Sequence, residues 1–356
     1  MQKNDRIGSV GGQAVLEGVM MRAGENVALS VRSTDGEIKT EVEKFPAPGS
    51  KYKILKAPII RGVVNFIAML RLSIRILNKS VEMLGLEEDM EPGKVEKWLD
   101  KHFGKSITAV ATAVGSVIGI VLSVFLFMYI PVVTSQWIFG EETYGIIRLG
   151  KSVFSGVFKI AIFLVYVWLV GLIPDIKRTF QYHGAEHKSV FCHEKSLPLT
   201  VENVMKQSRF HPRCGTSFLV VMMIIGIFVS FFFVNIPSTI LQTFLKIITL
   251  PLVVGLGYEF IRYAGKHDNM AVKILAAPGL WIQRLTTKEP DEKQVEVAIQ
   301  SLKAALPDIY PEIKEVLERQ KAQTESETEI ESGETSNENS KSGNAEKEQK
   351  EDGKDE

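Results

Sequence analysis

Four apolar stretches restrict the fold of this chain more than any other feature of its sequence. They cover residues 107–133, 153–173, 216–236 and 240–258. Each is close to the length of about 20 residues that a helix needs to cross a bilayer. The sequence therefore predicts a mainly α-helical, polytopic membrane protein with about four transmembrane helices, in which 107–173 and 216–258 form two transmembrane hairpins.

The distribution of lysine and arginine predicts the orientation of these helices. Both residue types are concentrated in segment 174–215 and after the fourth stretch, whereas the other connections contain fewer. Short loops that are rich in lysine and arginine remain on the cytoplasmic side of a membrane. We therefore expect a multi-pass protein of the cell membrane, surrounded by the lipid bilayer, with segments 174–215 and 259–320 and both termini in the cytoplasm.

Two lysines, Lys159 and Lys246, interrupt the apolar stretches. A charge at the centre of a bilayer is costly, but a lysine near the end of a helix extends its ammonium group to the interface. We expect both lysines near the outer ends of their helices. The stretches contain no central acidic residue or histidine of the kind that marks an ion pathway, which argues against a transporter.

Segment 58–77 has two interpretations, and it lies within a region, 51–106, that we assign to an interfacial helix and a linker. At helical spacing its basic residues fall on one side and its apolar residues cover the rest. This pattern predicts an amphipathic helix in the membrane surface, with its basic stripe toward the lipid headgroups. A spanning helix is the alternative, and it would place segment 174–215 outside the cell.

Residues 1–50 are predicted to form a small cytoplasmic region that contains β-strands. The sequences VALSVR and EIKTEV flank STDG, which suits a tight turn because Asp and Gly tolerate positive φ. The first residues lack the apolar core of a signal peptide, so we expect the internal helices to direct insertion.

The C-terminal part is predicted to contain one surface helix and a disordered tail. The helix follows Pro290, with Asp291 as its cap. Its apolar residues recur at helical spacing: Val295, Ile299, Leu302 and Leu306. Between residues 325 and 356 the chain has 12 acidic and 4 basic residues and almost no large apolar side chain, which predicts a disordered acidic tail, 321–356.

The residues that could form a metal or catalytic site are concentrated in segment 174–215. It contains four of the six histidines and both cysteines. In YHGAEHK, a helix would place His183, Glu186 and His187 on one side, because they are three and four residues apart. This is the H-x-x-E-H arrangement, in which two imidazoles bind zinc and the carboxylate acts as a base. In the reducing cytoplasm a disulfide is not expected, so the cysteines are free thiols or metal ligands.

A second element, HPRCG, precedes the third apolar stretch and adds a histidine and a cysteine. Zinc accepts both nitrogen and sulfur ligands, so we predict a site for zinc or another divalent transition metal. The predicted ligands are His183, His187, His211 and Cys214. Four protein ligands would make a closed structural site, whereas three would leave a position open and give Glu186 a catalytic task.

Other polar residues have a weaker connection to such a site. Cys192 and His193 are adjacent, and neighbouring residues rarely bind one ion together. Glu259, at the end of the fourth stretch, is either a distal ligand or base, or an interfacial partner of Arg262. The second of these interpretations is favoured.

The N-terminal motif GGQAVLEGVMMRAG also contains charged residues among apolar ones. Glu17 is expected either to reach the metal segment or a substrate, or to pair with Arg22, since charges in apolar surroundings require partners. Gly11 and Gly12 are expected to permit a backbone turn. No glycine-rich phosphate-binding motif is present, so neither a nucleotide nor a nucleic acid is an expected partner.

Together with YHGAEHK, HPRCGTSF and PGLWIQRLTTKEPDEKQVEVAI, this motif resembles the YqhQ-like family of bacterial membrane proteins, which are described as predicted metal-dependent enzymes. The resemblance covers nearly the whole chain except the tail. It implies that five residues form one site: His183, Glu186, His187, His211 and Cys214.

Three classes of function remain. The first is a membrane-embedded, zinc-dependent hydrolase that acts at the cytoplasmic surface on a lipid-linked or membrane-protein substrate, with Glu186 as its base. The second is a non-catalytic membrane scaffold with a structural metal site. The third is a transporter or metal sensor.

Overall fold

The N-terminal region forms a four-stranded antiparallel sheet in the computed structural model, which describes residues 6, 8–46, 53–85, 106–140, 143–264, 270–320 and 322. The strands lie in sequence order and each pairs with the next. They are β1 (Gly11–Val15), β2 (Gly18–Ala23), β3 (Asn26–Arg32) and β4 (Ile38–Lys44). The predicted hairpin around STDG is confirmed as the β3–β4 connection. The linker 86–105 and the acidic tail 323–356 lie outside the described residues.

Helix α1 (Ile60–Met83) follows a 3₁₀ turn at Lys53–Lys56 and covers one face of this sheet. Leu72 and Ile76 are buried against an apolar cluster supplied by β2 and β3. The opposite side of α1 exposes apolar side chains, including Ile67 and Ile74. The segment is therefore an amphipathic helix, as predicted.

The basic stripe of α1 does not have the predicted orientation along its whole length. Arg75 forms an ion pair with Glu43 of β4, at 2.6 Å, and Lys79 forms one with Glu41. These basic residues contact the edge of the sheet, so the prediction that the whole stripe points at lipid headgroups is corrected.

Helices α2 (Ser106–Val124) and α3 (Ile130–Phe139) are continuous through a π-helical turn at Phe125–Tyr129. Pro131 follows this turn and has no N–H group to donate, which accounts for the local widening of the helix. The stretch Val114–Phe139 and helix α4 (Gly145–Val170) each have 26 residues and are long and apolar enough to cross a membrane.

Lys159 lies near the middle of α4, 14 residues after Gly145 and 11 before Val170. The expectation that it lies near a helix end was wrong. The error arose because the arginine and lysine in GIIRLGKSVF hid the first part of the helix, so that the apolar stretch was assigned a start at residue 153.

Segment 174–215 is mostly helical. Helix α5 (Pro174–Glu194) begins with a proline in its first turn, where no N–H donor is required, and the short helix α6 (Val201–Met205) follows. Half of α5 is buried, including His187 and Glu186. The predicted loop is therefore a helix enclosed by other elements.

The third and fourth apolar stretches are shorter or bent. Helix α7 (Gly215–Ser230) has 16 residues, and α8 (Thr239–Ile248) meets α9 (Leu250–Ala264) at an angle of 44°. Within the described residues two helices are long enough to cross a membrane, or three if α8 and α9 form one bent span. The prediction of about four spans is therefore supported only in part. Lys246 lies in the last turn of α8, beside the bend.

Helices α10 (Met270–Thr286) and α11 (Glu292–Ala305) complete the fold. The predicted cap of α11 is confirmed, because Asp291 and Gln294 form a reciprocal capping box. More of this helix is buried than predicted, although Glu292, Lys293 and Glu296 remain exposed. Val295, Val297 and Leu302 are fully buried in a core shared with β2, β3 and α5, so α11 covers the face of the sheet opposite α1.

A close contact joins α5 to segment Thr286–Pro290, between α10 and α11. The amide of Lys288 donates to the carbonyl of Phe180, at 2.8 Å. A Cβ atom on Gly184 would overlap the carbonyl oxygen of Lys288 and approach Pro290 at 3.4 Å. Gly184 therefore lowers the helix propensity of α5 but permits this contact.

We predict that Gly184→Ala lowers the free energy of unfolding by about 2–4 kcal/mol, because the added methyl group overlaps backbone atoms that cannot rotate away. The measurement is thermal unfolding of the detergent-purified protein. Gly226→Ala is the matched control, since Gly226 is also helical but has no atom within 4 Å of a new Cβ. Equal stability of the two variants would contradict the prediction.

Candidate metal centre

Three potential metal ligands converge where α5 meets the start of α7. His183, His187 and Cys214 each offer one ligand atom, and these atoms lie within 4.8 Å of one another. The histidines are one helical turn apart on α5, and Cys214 is the N-cap of α7. The Nε2 atom of His183 lies 3.2 Å from the sulfur of Cys214. The structure thus brings together three of the four predicted ligands.

Both imidazoles of this group are oriented by backbone carbonyls. The Nδ1 atom of His183 lies 2.9 Å from the carbonyl oxygen of Thr286, and Nδ1 of His187 lies 2.5 Å from that of Arg209. A carbonyl oxygen only accepts hydrogen bonds, so Nδ1 carries the proton in each ring and Nε2 keeps its lone pair. This is the tautomer that a metal ligand requires, held in the way that ligating histidines usually are.

The Nε2 atom of His187 is buried and has no hydrogen-bond partner within the described residues. A buried nitrogen without a partner is costly, and a metal ion would remove this cost. At Cys214 the sulfur accepts from the backbone amide of Thr216, at 3.4 Å, and from its hydroxyl, at 3.2 Å. Such donors, at the N-terminal end of a helix, are of the kind that a thiolate ligand accepts.

Glu186 points toward the same place as the two histidines. Its Oε2 atom lies 3.5 Å from Nε2 of His187 and 4.0 Å from Nε2 of His183. Burial raises the pKa of this carboxyl group, although nearby His183 and His211 and the amide of Gly12 oppose the increase. The carboxyl group can therefore hold a proton more readily than an exposed glutamate can.

Gly12 allows strand β1 to approach this carboxylate. A Cβ atom there would lie 2.8 Å from Cγ of Glu186 and 2.6 Å from the carbonyl oxygen of Met20. Gly11 and Gly12 lie within β1 rather than in a turn, which corrects the sequence-based expectation. Glycine is required at position 12 because β1 and Glu186 approach each other closely. This contact brings the N-terminal motif next to the YHGAEHK segment.

The structure does not place His211 in the three-residue group. Its Nε2 atom lies 3.3 Å from Oε2 of Glu194, and its backbone is fixed by Gln283, which both accepts from its amide and donates to its carbonyl. Burial raises the pKa of Glu194, but His211, the amide of Gly8 and Arg213 outweigh it and lower the pKa to about 2. His211 therefore neighbours the group, with its ring 5.7 Å from that of His187.

A cavity of about 420 Å³ opens onto this site. Glu186, His187 and Cys214 lie on its wall, segment 8–12 supplies much of the remainder, and α1 contributes Met69. Sequence reasoning did not assign Gly8, Ser9 or Met69 to the site. The only signal for the first two was their proximity to the N-terminal motif.

The remaining candidates have structural partners. The sulfur of Cys192 is buried beside the carbonyl of Pro198, at 3.5 Å, and His193 contacts the hydroxyl groups of Tyr310 and Ser9, at 2.8 and 3.1 Å. These two residues do not point at the ligand group. Glu259 forms a bidentate pair with Arg61 of α1, which corrects the expected pairing with Arg262.

One of the two interpretations of Glu17 placed its side chain against segment 174–215. Glu17 does contact this segment, but its partner there is an arginine. Both of its carboxylate oxygens accept from Arg178, at 2.5 Å, and one also accepts from Tyr182, at 3.1 Å. The expected pair with Arg22 is not formed, since the Arg22 guanidinium lies over the ring of Phe45. Glu17 has a positive φ of 48°, a strained value for glutamate. Glu17 therefore keeps its contact with α5 although its own backbone conformation is unfavourable.

Comparisons with known proteins agree with the resemblance to the YqhQ-like family that the sequence motifs indicated. The profile of a family described as protein of unknown function (DUF1385) matches residues 57–308. The chain is similar to the uncharacterized protein YqhQ of Bacillus subtilis (strain 168), with 37% identity over 311 residues, which cover 86% of this chain and 95% of that protein. No solved structure matches this chain. The matched region contains all three residues of the ligand group.

We predict that Glu17→Gln reduces stability in a manner that depends on pH. The hydrogen bond from Arg178 lowers the pKa of Glu17 below 4.5 in the folded protein, and burial opposes this only in part. The stabilisation is therefore fully present above about pH 4.5 and is lost as the pH falls below it. The loss at pH 7 should be about 1 kcal/mol, since Arg178 is partly exposed to solvent.

The measurement is the midpoint of thermal unfolding between pH 7 and pH 3. The wild type should lose stability relative to Glu17→Gln as the pH falls, so that the two curves converge. Glu202→Gln is the control, because the Glu202 carboxylate is 79% exposed and pairs only with its neighbour Lys206. A constant difference between wild type and Glu17→Gln at every pH would exclude the ion pair as the cause.

Proposed function

The chain belongs to the DUF1385 family of proteins of unknown function, and from this premise we propose that it is a membrane-embedded, metal-dependent hydrolase that acts at the cytoplasmic surface of the cell membrane. One observation carries the proposal. His183, His187 and Cys214 converge with their ligand atoms within 4.8 Å, and Glu186 faces the same point.

The chemistry of the three ligands suits zinc. Zinc binds imidazole nitrogen and thiolate sulfur in tetrahedral sites, and catalytic zinc sites use three protein ligands and leave the fourth position open. Both Nδ1 atoms are already bound to carbonyl oxygens, so both Nε2 atoms point into the ligand group, where that of His183 contacts the sulfur of Cys214. When bound, zinc supplies a Lewis acid that polarises a carbonyl or phosphoryl group.

Glu186 is the residue to which we assign proton transfer. Its carboxyl group is buried beside the ligands, and burial raises its pKa toward the range in which a group accepts and returns a proton at neutral pH. The amide of Gly12 holds one side of the carboxylate in place. Strand β1 approaches Glu186 closely on this side, since a Cβ atom on Gly12 would lie 2.8 Å from its Cγ atom.

The cavity indicates the class of substrate. Its wall combines His187 and Cys214 of the ligand group with Arg22, Arg213 and two methionines, Met20 and Met69. Met69 belongs to the amphipathic helix α1. Arginine suits an anionic or polar head, and methionine suits a flexible apolar chain. A lipid-linked or membrane-protein substrate with its polar part at the surface has both properties.

We further propose that the chain crosses the bilayer four times with both termini in the cytoplasm. The two 26-residue helices each span it, α8 and α9 form a bent span, and α7 forms a short one of about 24 Å. The exposed apolar side of α1 then lies in the inner interface. This arrangement keeps the lysine-rich and arginine-rich segments in the cytoplasm, in accordance with the positive-inside rule.

A structural metal site in a membrane scaffold is the second candidate, and the position of Glu186 favours it. A carboxylate only 3.5–4.0 Å from two ligand nitrogens is also placed to become a fourth ligand. The site would then be closed and would fix α5 to α7 without catalysis.

We predict that the purified wild type contains about one zinc ion per chain, measured by elemental analysis after reconstitution with zinc. His183→Ala, His187→Ala and Cys214→Ala should each lose it, because each removes one of three ligands. His211→Ala should retain it, since His211 lies outside the group. Loss of zinc from His211→Ala but not from Cys214→Ala would contradict this ligand set.

Glu186→Gln separates the two candidates. In the hydrolase this variant keeps its zinc and loses activity toward chromogenic ester and phosphodiester probes in mixed micelles by about 10²–10⁴-fold. In the scaffold no probe is hydrolysed by the wild type, and Glu186→Gln binds zinc more weakly. Glu202→Gln is the control for general effects of charge, because Glu202 is exposed.

A further inference from the structure

Arg22 and Arg213 both lie on the wall of the cavity at the candidate metal centre, but their charges are balanced differently. Arg213 donates to both carboxylate oxygens of the buried Glu194, at 2.6 and 2.5 Å. Within the described part of the chain, Arg22 instead contacts a carbonyl oxygen, a thioether sulfur and an aromatic ring. The protein therefore neutralises the charge of Arg213, whereas the contacts of Arg22 include no anionic group.

The contacts of Arg22 fix the position of its guanidinium group. Its Nε atom donates to the carbonyl of Gly24, at 3.0 Å, and one terminal nitrogen contacts the sulfur of Met69, at 2.9 Å. The group lies 5.0 Å from the centre of the Phe45 ring. A thioether sulfur is only a weak acceptor, so a guanidinium held in this way keeps donors for a ligand and loses little conformational entropy when it binds one.

The charge of Arg22 is partly removed from water. Burial lowers the pKa of Arg22, and the charge of the exposed Glu25 opposes this decrease at longer range. Because an arginine stays protonated at neutral pH, burial leaves a cation whose hydration is incomplete. An anionic ligand would restore interactions that water no longer supplies.

The strand opposite Arg22 leaves space beside its side chain. Gly11 of β1 pairs with Arg22 of β2 in the antiparallel register, so side chains at these two positions are neighbours on one face of the sheet. No atom of the described residues lies within 4 Å of a Cβ atom built on Gly11. Gly11 also lines the cavity, as do His187 and Cys214. A ligand beside Arg22 therefore occupies the same cavity as the metal ligands.

We propose that Arg22 is the specificity-determining residue of this cavity and binds a phosphate-type oxyanion of the substrate. A guanidinium donates two parallel hydrogen bonds to phosphate oxygens. A phosphate then keeps further oxygens for the rest of the site, whereas a carboxylate uses both of its oxygens on the guanidinium.

The same wall indicates what the phosphate is attached to. Met20 and Met69 lie on it, and their flexible thioether side chains suit an apolar chain. The inference rests on the proposed hydrolase, because it assigns a phosphate-bearing amphiphile as the class of substrate for that site. Free inorganic phosphate offers the same oxyanion without the chain, so the experiment includes both.

The test measures ligand binding to the full-length protein in phosphatidylcholine nanodiscs by isothermal titration calorimetry. The metal is first removed with a chelator, so that zinc does not itself bind phosphate. The probes are hexyl phosphate, heptanoate, which has the same chain with a carboxylate, and hexyl glucoside, which has no charge. Hexyl phosphate should bind at least about tenfold more tightly than the other two, after subtraction of the signal from empty nanodiscs.

Arg22→Met should weaken the binding of hexyl phosphate by about 10- to 100-fold, because hydrogen bonds to a charged group are lost, and should leave hexyl glucoside unaffected. Arg22→Lys should retain part of the affinity, since it keeps the charge but not the planar fork. Arg75→Met is the matched control, because Arg75 also lies over the ring of Phe45, at 5.8 Å, but is paired with Glu43. It should bind hexyl phosphate as the wild type does.

Gly11→Leu provides a second variant that leaves the arginine in place. The added side chain enters the open space beside Arg22 and should weaken the binding of hexyl phosphate as much as Arg22→Met does. Its unfolding temperature and zinc content should equal those of the wild type. An Arg22 that only holds β2 against α1 would give a different result, since Arg22→Met would then unfold at a lower temperature with an unchanged ratio of the affinities for hexyl phosphate and hexyl glucoside.

The remaining outcomes separate this inference from the hydrolase proposal. Inorganic phosphate that binds as tightly as hexyl phosphate would overturn the assignment of an amphiphile. The inference as a whole is overturned if heptanoate or hexyl glucoside binds as tightly as hexyl phosphate, or if Arg75→Met loses as much affinity as Arg22→Met. A wild type that binds hexyl phosphate through Arg22 but hydrolyses no phosphodiester would support the oxyanion site and refute the hydrolase.

Discussion

The contact between α5 and segment Thr286–Pro290 is the constraint on which the arrangement around the candidate site depends. Helix α5 is polar in sequence yet half buried, so its polar side chains require partners inside the protein. The segment supplies them, with the carbonyl of Thr286 on His183 and the side chain of Glu289 on Lys188, at 2.9 Å. This contact requires glycine at position 184, because a larger residue would separate the two backbones. A metal site of this kind exists only while both remain together.

Ion pairs then connect α5 and the membrane helices to the sheet side of the molecule. Glu17 at the β1–β2 turn binds Arg178 on α5, and Glu194 at the other end of α5 binds Arg213 before α7. Glu259 on α9 binds Arg61 on α1. Each pair joins two elements that hydrophobic packing alone would allow to slide. Glu186 is on α5 and Cys214 is the N-cap of α7, so their relative position depends on how these two helices are held together.

The sequence predicted the local parts of this arrangement and missed those that depend on tertiary packing. Helical spacing was sufficient to place His183, Glu186 and His187 on one face, and turn chemistry was sufficient for the β3–β4 hairpin. Spacing could not show that His211 would turn toward Glu194, because the choice depends on Gln283, which is 72 residues away along the chain. Nor could it show that α11 would be enclosed, since its polar residues, such as Gln294 and Ser301, suggested an exposed side that is in fact buried. The membrane helices were predicted by composition, but their ends and the bend beside Lys246 depend on neighbouring helices.

The candidate site and the apolar helices differ in how their charged groups are paired. Around the candidate site the buried carboxylates have cationic or imidazole neighbours, and Glu194 has both. The resulting network is neutral and rigid, and it suits a site that must hold ligands in fixed positions. The apolar helices instead contain lysines such as Lys159 at positions where a bilayer would make the charge more costly than it would be in water. Buried polar groups are stable only with partners, and where the chain does not supply the partner, a ligand must.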